Sequence, residues 1–308
     1  MSFQEQERAL FDLLFDRSLR AHFCKDATQA LSPYDLGVEE LADFQAIRPD
    51  ALEIDAKMRR GFILTHICRA FPLSFSLVCS LDGGRDILKD LIDSEMVRAN
   101  MLERSILFGT RLRELLLAYT FERAKEQTTS IAILEAELSM AMIASSLKKQ
   151  VLDNSYEATD PAEFGADWSD KPIKLAAHVA AVIVPQPYAD MKRLLCPVAD
   201  TELWSHLAQN PPGRAQRRRV LENENRRIFF ARARINQFSR CDPTVDFQTM
   251  ELSDGFAPLF QHVDGHNSSD VILKQLAQAG ADDKILSGVK EGFLKLLQNG
   301  MLDFSMPA

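Results

Sequence analysis

Cysteine is the first scarcity in this chain. Its five cysteines, at positions 24, 68, 79, 196 and 241, are odd in number, widely spaced and never arranged Cys-x-x-Cys. That pattern excludes a disulfide framework and a cysteine-held zinc site. Catalytic signatures are missing as well. Gly-x-Gly-x-x-Gly, Gly-x-Ser-x-Gly and His-Glu-x-x-His do not occur, and Asp82-Gly83-Gly84 lacks the lysine and the strand–helix setting of a phosphate loop. Among the six histidines only His262 and His266 stand at ligand spacing; they straddle Asp264-Gly265 and read as a solvated turn. His22 and Cys24 point in different directions on a helix, and His66 and Cys68 read as core or helix-surface residues. No nucleophile, base and orienting group can be assembled. Long apolar runs are missing too. Arg69 interrupts Phe62–Leu81, and Leu175–Ala189 contains His178, Pro185 and Pro187, so neither offers the roughly 20 apolar residues of a membrane span. The opening residues Met1–Arg8 are polar and acidic, without a signal-peptide pattern. The expectation is a soluble, reduced, cytoplasmic protein that does not touch membranes.

What is present has the weight of an ordinary globular protein. The 308 residues suggest about two domains, and a hydrophobic content of 46% is enough to build cores. The net charge of −8 hides a strong asymmetry. Residues 214–240 hold nine arginines against Glu222 and Glu224, about +7, which leaves about −15 for the remainder. Such a cluster has two readings: a solvated strand face paired with the acidic remainder, or a surface for an anionic partner.

Residues 1–152 read as a helical bundle of five or six helices. Leu10, Phe11, Leu14, Phe15, Leu19 and Phe23 mark one apolar face of a first helix, Ser32-Pro33 and Gly37 a turn, and Glu39-Glu40 a helix start. A helix over 52–70 stops at Pro72; a long one runs from about Ser94 to Gln127, and another from Ser130 to Gln150. Residues 153–172, acidic and broken by Pro161, Gly165 and Pro172, read as a linker. From 173 to 308 the pattern predicts an ambiguous apolar run, Leu175–Val184, and a short helix at Thr201–Ala208. A β-hairpin follows, with strands Arg217–Leu221 and Arg226–Gln237 joined by the turn Glu222–Asn225. Alternation puts Phe229, Ala231, Ala233 and Ile235 on a core face, and Arg226, Ile228, Phe230, Arg232 and Arg234 on a cationic one. A third strand, Val245–Leu252, leads to a helix capped by Asn267, Ser268 or Ser269. The last helix, Asp282–Asn299, has the buried stripe Ile285, Val289, Phe293, Leu296 and Leu297, with Leu294 outside it. The fold class expected is mainly α, α+β overall: an N-terminal helical bundle and a C-terminal winged-helix-like domain with a three-stranded sheet.

The stretch Phe247–Phe304 resembles the RiPP recognition element, the peptide-binding fold of the chaperone of pyrroloquinoline quinone biosynthesis. The cadence Asp264-Gly265, Ser268-Ser269, Phe293-Leu-Lys-Leu-Leu297 and Asn299-Gly-Met-Leu302 carries the resemblance, although winged-helix DNA binders share much of it. The arginine cluster departs from the family, whose hairpin starts on small hydrophobic residues. With a helical N-terminal domain attached, the whole resembles accessory subunits that partner multinuclear non-haem iron oxygenases in peptide natural-product pathways, of the 3-thiaglutamate and methanobactin kind. The resemblance implies a non-catalytic subunit in a heterodimer, with no cofactor on this chain and iron on the partner. It would present a carrier (leader) peptide for oxidation at a cysteine. The peptide would add as a strand along Val245–Glu251, bringing in Phe247, Thr249 and Glu251. Ser287, Lys290 and Leu294 would wall the cleft, and Arg226, Arg232 and Arg234 would attract acidic peptide residues. The alternative is a DNA-binding regulator with a ligand-sensing helical domain. The last helix, with no arginine and only Lys284, Lys290 and Lys295 as cations, makes nucleic acid the less favoured partner. A third reading is an enzyme with a cofactor pocket of its own.

Overall fold

The computed structural model describes residues 3–99, 101–157, 165, 167–222, 225–237 and 243–305. Arg240, Cys241, the turn residues Asn223 and Glu224, and Asp160, Pro161 and Glu163 of the acidic stretch lie outside them. In chain order the elements are α1 (Phe3–Phe15), α2 (Arg17–Phe23), α3 (Ala27–Leu31), α4 (Val38–Gln45), α5 (Pro49–Ala70), α6 (Pro72–Cys79), α7 (Gly84–Asp90), α8 (Ser94–Arg98), α9 (Met101–Ala118) and α10 (Ala124–Leu152). There follow β1 (Pro172–Leu175), β2 (Val179–Val184), α11 (Tyr188–Leu195), α12 (Leu203–Gln209), α13 (Arg214–Glu222), β3 (Arg227–Gln237) and β4 (Thr244–Ser253). The chain closes with α14 (Ala257–Phe260), β5 (Asp264–Ser268), α15 (Ser269–Gln278), α16 (Asp283–Gln298) and β6 (Leu302–Phe304). The protein is mainly helical with two three-stranded antiparallel sheets, β5-β1-β6 and β2-β3-β4, the α+β class expected from sequence.

Two compact units divide the chain: Met1–Tyr119 with Leu195–Arg217, and Thr120–Leu194 with Arg218–Ala308. The boundary read at residue 152 is therefore corrected. α10 belongs to the second unit because its side chains are buried against β2 and β3, and α12 returns to the first unit because Trp204 is needed in its core.

In the first unit, local signals cut the helices shorter than apolar periodicity suggests. Asp16 ends α1 and caps α2 by accepting from the backbone N–H groups of Ser18 and Leu19 at 2.8 and 3.0 Å, which satisfies donors a helix start leaves open. Asp26 and Asp93 cap α3 and α8 in the same way. The expected helix from Ser94 to Gln127 is instead α8, α9 and the start of α10. At Phe71 the chain turns by 118° between α5 and α6, because Pro72 has no N–H to continue the ladder. Every residue of α6 is buried. Phe75 packs on Phe108 at 5.4 Å and edge-on to Trp204 at 5.8 Å, so α6 is the core that the other helices surround.

In the second unit β3 is the central strand of its sheet. Ile228, Phe229, Phe230, Ala231, Arg232 and Ala233 are all buried. Phe229 stacks on Tyr188 at 4.7 Å, on the face that α10 covers. Ile228 and Phe230 join Leu259, Val263, Ile272, Phe293 and Leu296 in the core beneath α14, α15 and α16. The expected open cationic face is therefore covered. Arg217–Leu221, expected as the first hairpin strand, is helical within α13, and the strand beside β3 on that side is β2. The end of the expected linker is structured as well: Trp168 is buried, and Pro172–Leu175 forms β1 between β5 and β6. Ser268 is the cap of α15, bonding the Val271 N–H at 3.3 Å. On α16 Val289, Phe293, Leu296 and Leu297 are buried as expected, whereas Ile285 is exposed.

By length and composition, α10 alone among the described helices could cross a membrane; it lies against β2 and β3, and Glu137 within it is wholly buried.

A tight contact underlies the first unit. A Cβ on Gly84 would land on the Val78 carbonyl in the backbone of α6, whereas one on Gly61 in α5 would meet nothing within 4 Å. Gly84→Ala should lower the unfolding free energy by about 1–3 kcal/mol or more, since backbone must move. Gly61→Ala should raise it by up to about 1 kcal/mol through helix propensity. Denaturant melts of the two variants check both signs.

Candidate functional site

β4 is an edge strand: it pairs with β3 on one side and has no strand on its other side among the described residues. An edge of this kind presents unpaired N–H and C=O groups to any chain lying beside it. Its pairing with β3 is regular from Ser253 back to Val245, with Phe247 opposite Ala233, Thr249 opposite Ala231 and Glu251 opposite Phe229.

That register fixes which way each side chain faces. Phe247, Thr249 and Glu251 share the face of Phe229, the one α10 covers, because opposed residues of a ladder lie on the same side of a sheet. Gln248, Met250 and Leu252 share the face of Ile228, Phe230 and Arg232, beneath the C-terminal helices. Thr249 is exposed and Phe247 half-buried. Glu251 accepts a hydrogen bond from the Tyr188 N–H at 2.7 Å. Burial pushes the Glu251 carboxyl above the ordinary glutamate range, against the opposing pull of that bond and of Arg227. Glu251 thus ties β4 to α11.

α16 meets the sheet through its other side. Gln248 Nε2 donates to Asn299 Oδ1 at 3.1 Å. Arg232, only 6% exposed, lies against Gly300, where a Cβ would land on the guanidinium and where φ is +64°. Phe256, just beyond β4, sits over Gly292, which has no side chain to exclude its ring. Gly288, Gly292 and Asn299 therefore mark the side of α16 nearest β4. At roughly 100° per residue, Ser287, Lys290 and Leu294 fall on the opposite side. Ser287 and Lys290 are exposed, and Leu294 is half-buried against the core.

The residues expected to form one cleft are therefore distributed. Phe247, Thr249 and Glu251 lie on one face of the sheet, while Ser287, Lys290 and Leu294 lie on the far flank of the helix that covers the other face. Arg226 is exposed ahead of β3 and lines a groove with Val182, Ile183 and Lys125 beside β2, the opposite edge of the sheet. Arg232 is buried in the joint with α16. Arg234 is exposed and stands opposite Asp246 near the end of the β3–β4 pairing. Sequence reasoning missed Gln248, Gly292 and Asn299, although Asn299-Gly300 already marked the end of the helix. A further surface also went unread. Ile54, Met58 and Phe62, at four-residue spacing on α5, are 57%, 53% and 74% exposed and form an apolar stripe.

Two of the histidines have local side-chain partners. His22 Nε2 lies 3.3 Å from Gln29 Oε1, and His262 Nε2 lies 3.3 Å from Gln261 Nε2. Among the described residues no group of three or more His, Cys, Asp or Glu is placed to hold a metal ion.

His178 sits in the turn that sends the chain into β2, at φ +58°. Its carbonyl accepts from Ala233 N–H at 2.9 Å, and its Nε2 lies 3.1 Å from Gln150 Oε1. Burial, reinforced by the charge of Arg232, holds its ring below the ordinary histidine range. A group whose pKa falls on folding contributes stability that is present above its unfolded value and lost as pH falls through the folded one. Thermal melts should therefore show stability declining as pH drops below about 6.5. His178→Asn, which tolerates the left-handed backbone, should flatten that decline.

Compared with known proteins, the chain matches no family model, no curated protein and no solved structure.

Proposed function

We propose that the chain is a non-catalytic, peptide-binding partner subunit. It presents a ribosomally made carrier peptide to an iron-dependent oxidase that acts on a peptide cysteine, in the manner of 3-thiaglutamate biosynthesis. The observation that carries this reading is the edge position of β4, in a three-stranded antiparallel sheet backed by α14, α15 and α16. An extended peptide laid along β4 gains main-chain hydrogen bonds, and side-chain pockets on alternate residues give selectivity. In this reading the wall of the cleft is not Ser287, Lys290 and Leu294 but the flank of α16 on the side of Asn299, with Gly288 exposed one turn before the Gly292 that Phe256 covers. The open space over Gly288 leaves room for a peptide side chain. Arg234, exposed near the end of β4, remains placed to draw in acidic peptide residues. The iron and its oxygen chemistry belong to the partner subunit. The stripe Ile54, Met58 and Phe62 is the surface on which that subunit docks, since apolar side chains clustered at the surface mark association sites. The complex is a heterodimer in the cytoplasm.

Anisotropy with a labelled carrier peptide encoded beside this chain tests the reading, and binding is expected. Gly288→Leu replaces a poor helix former at an open position, so the fold should gain up to about 1 kcal/mol, while peptide affinity falls at least tenfold. No binding of the peptide, with or without the neighbouring enzyme, overturns the reading. Phe62→Asp should abolish co-purification with the oxidase and leave peptide affinity unchanged.

A regulator that binds DNA is the second reading. The observation favouring it is α13, where Arg214, Arg218 and Arg219 are exposed within nine residues. Mobility shifts that collapse steeply between low and moderate salt, as counterion release dictates, would support it in place of peptide presentation.

A further inference from the structure

A cavity of about 380 Å³ opens in the first unit between α2, α5, α7 and α12. Its walls hold six cations: Arg17, Arg20, Lys57, Arg60, Arg85 and Lys89. Only three carboxylates face the same space, and two of them are engaged. Glu53 holds Arg20 at 2.7 Å and Lys57 at 3.5 Å, and Asp86 holds Lys89 at 2.8 Å. Asp90 is the third. The lining therefore carries a surplus of positive charge in a chain whose net charge is −8.

The arginines are not loose surface side chains. Arg20 is 4% exposed and donates from Nη1 to the carbonyls of Leu13 and Leu14 at 2.9 and 3.1 Å, so it is fixed as a floor. Arg60 is held by a bond from Nη2 to the Phe15 carbonyl. Arg85 is held by a bond from Nη1 to the Ala208 carbonyl at 2.8 Å, with its guanidinium 5.6 Å from the centre of the Trp204 ring. Arg60 and Arg85 are thus anchored at one nitrogen each, and neither forms an ion pair with a carboxylate among the described residues. In both, Nε is buried without a hydrogen-bond partner. Both Nε atoms are shut off from solvent, so what Arg60 and Arg85 offer to the cavity is their remaining terminal guanidinium nitrogens. Burial, and after it the neighbouring charge of Arg20, push Arg60 below the ordinary arginine range, against the opposing pull of Asp90 and Glu53.

We propose that this cavity is a binding site for a small organic phosphate. Arg60 and Arg85 take the phosphoryl oxygens through donors that planar guanidinium groups hold in a fixed fork. Arg17 and Lys57, exposed at the mouth, add attraction for an incoming anion. The volume lies within the range of about 300–1,000 Å³ usual for small-molecule pockets and is several times that of a phosphate group, so the remainder houses an organic portion beside Trp204. The inference is independent of the peptide-binding reading, because the site lies wholly in the helical unit.

Titration calorimetry on the full chain, at ionic strength matched with sodium chloride, tests it with AMP, pyrophosphate, orthophosphate and adenosine as probes. AMP is expected to bind saturably and more tightly than orthophosphate, and adenosine not at all. Arg60→Gln should weaken AMP at least tenfold. So should Arg17→Glu, an exposed change that leaves the melting temperature unaltered and keeps the test independent of folding. No saturable binding of any phosphate probe at millimolar concentration overturns the proposal. Unchanged AMP affinity in both variants places the site elsewhere and overturns it too. Equal affinities for AMP and orthophosphate overturn the organic part of the assignment.

Discussion

Ile228–Ala233 of β3 are all withdrawn from water, and a strand buried on both sides needs a cover on each face. Much of the second unit follows from that demand. α10 lies on one face with Tyr188 stacked on Phe229, and α14–α16 close the other around Phe230. β2 and β4 flank the strand, and among the described residues no further strand pairs with either. A central strand with both faces taken offers a partner nothing, so any backbone recognition is left to the edges, of which β4 is the one that runs into the C-terminal helices.

The joint between β3, β4 and the end of α16 is where polar groups enter this otherwise apolar arrangement. Arg232 is brought to the helix C-terminus, where the carbonyl ends of the peptide dipoles favour a cation, and Gly300 is what lets it come so close. Gln248 and Asn299 fix the same end of the helix by a side-chain bond. Specificity of placement is the gain: a helix whose last turn is bonded to β4 through an amide pair cannot rotate without breaking that bond. That orientation turns Gly288 and Gly292 toward β4 and carries Lys290 and Leu294 away from it.

Charge in this protein is sorted by structure more than by sequence. The arginine-rich segment looks like one surface when read as a string, yet its described members end in different settings: four on α13, Arg226 just before β3 and Arg227 at its start, Arg232 buried against Gly300, and Arg234 exposed toward the end of β3. A less conspicuous set, spread from Arg17 to Lys89, converges on one cavity because α2, α5 and α7 bring their faces together.

Several features were legible in the residues themselves. Pro72 forces the turn after α5, Ser268 caps α15, and Val289, Phe293 and Leu296 at three- and four-residue spacing announce the buried face of α16; these are local rules of backbone geometry and need no partner. β4 too was read as a strand, over Val245–Leu252. Less was legible where burial comes from elsewhere in the chain. Arg217–Leu221 has no periodic pattern that separates a strand from a short helix, and only the presence of β2 beside β3 shows which segment completes the sheet. The same reason explains why the residues named for one cleft lie apart. Alternation says that Phe247, Thr249 and Glu251 lie together, but which face they lie on depends on their register with Phe229 and on α10, some hundred residues earlier in the chain. The sequence by itself determined the fold class, the proline turn after α5, the cap of α15 and the buried stripe of α16. Tertiary structure alone decided which faces are covered, which side of α16 meets the sheet, and which distant cations share a cavity, because those are properties of long-range packing that no local window of residues contains.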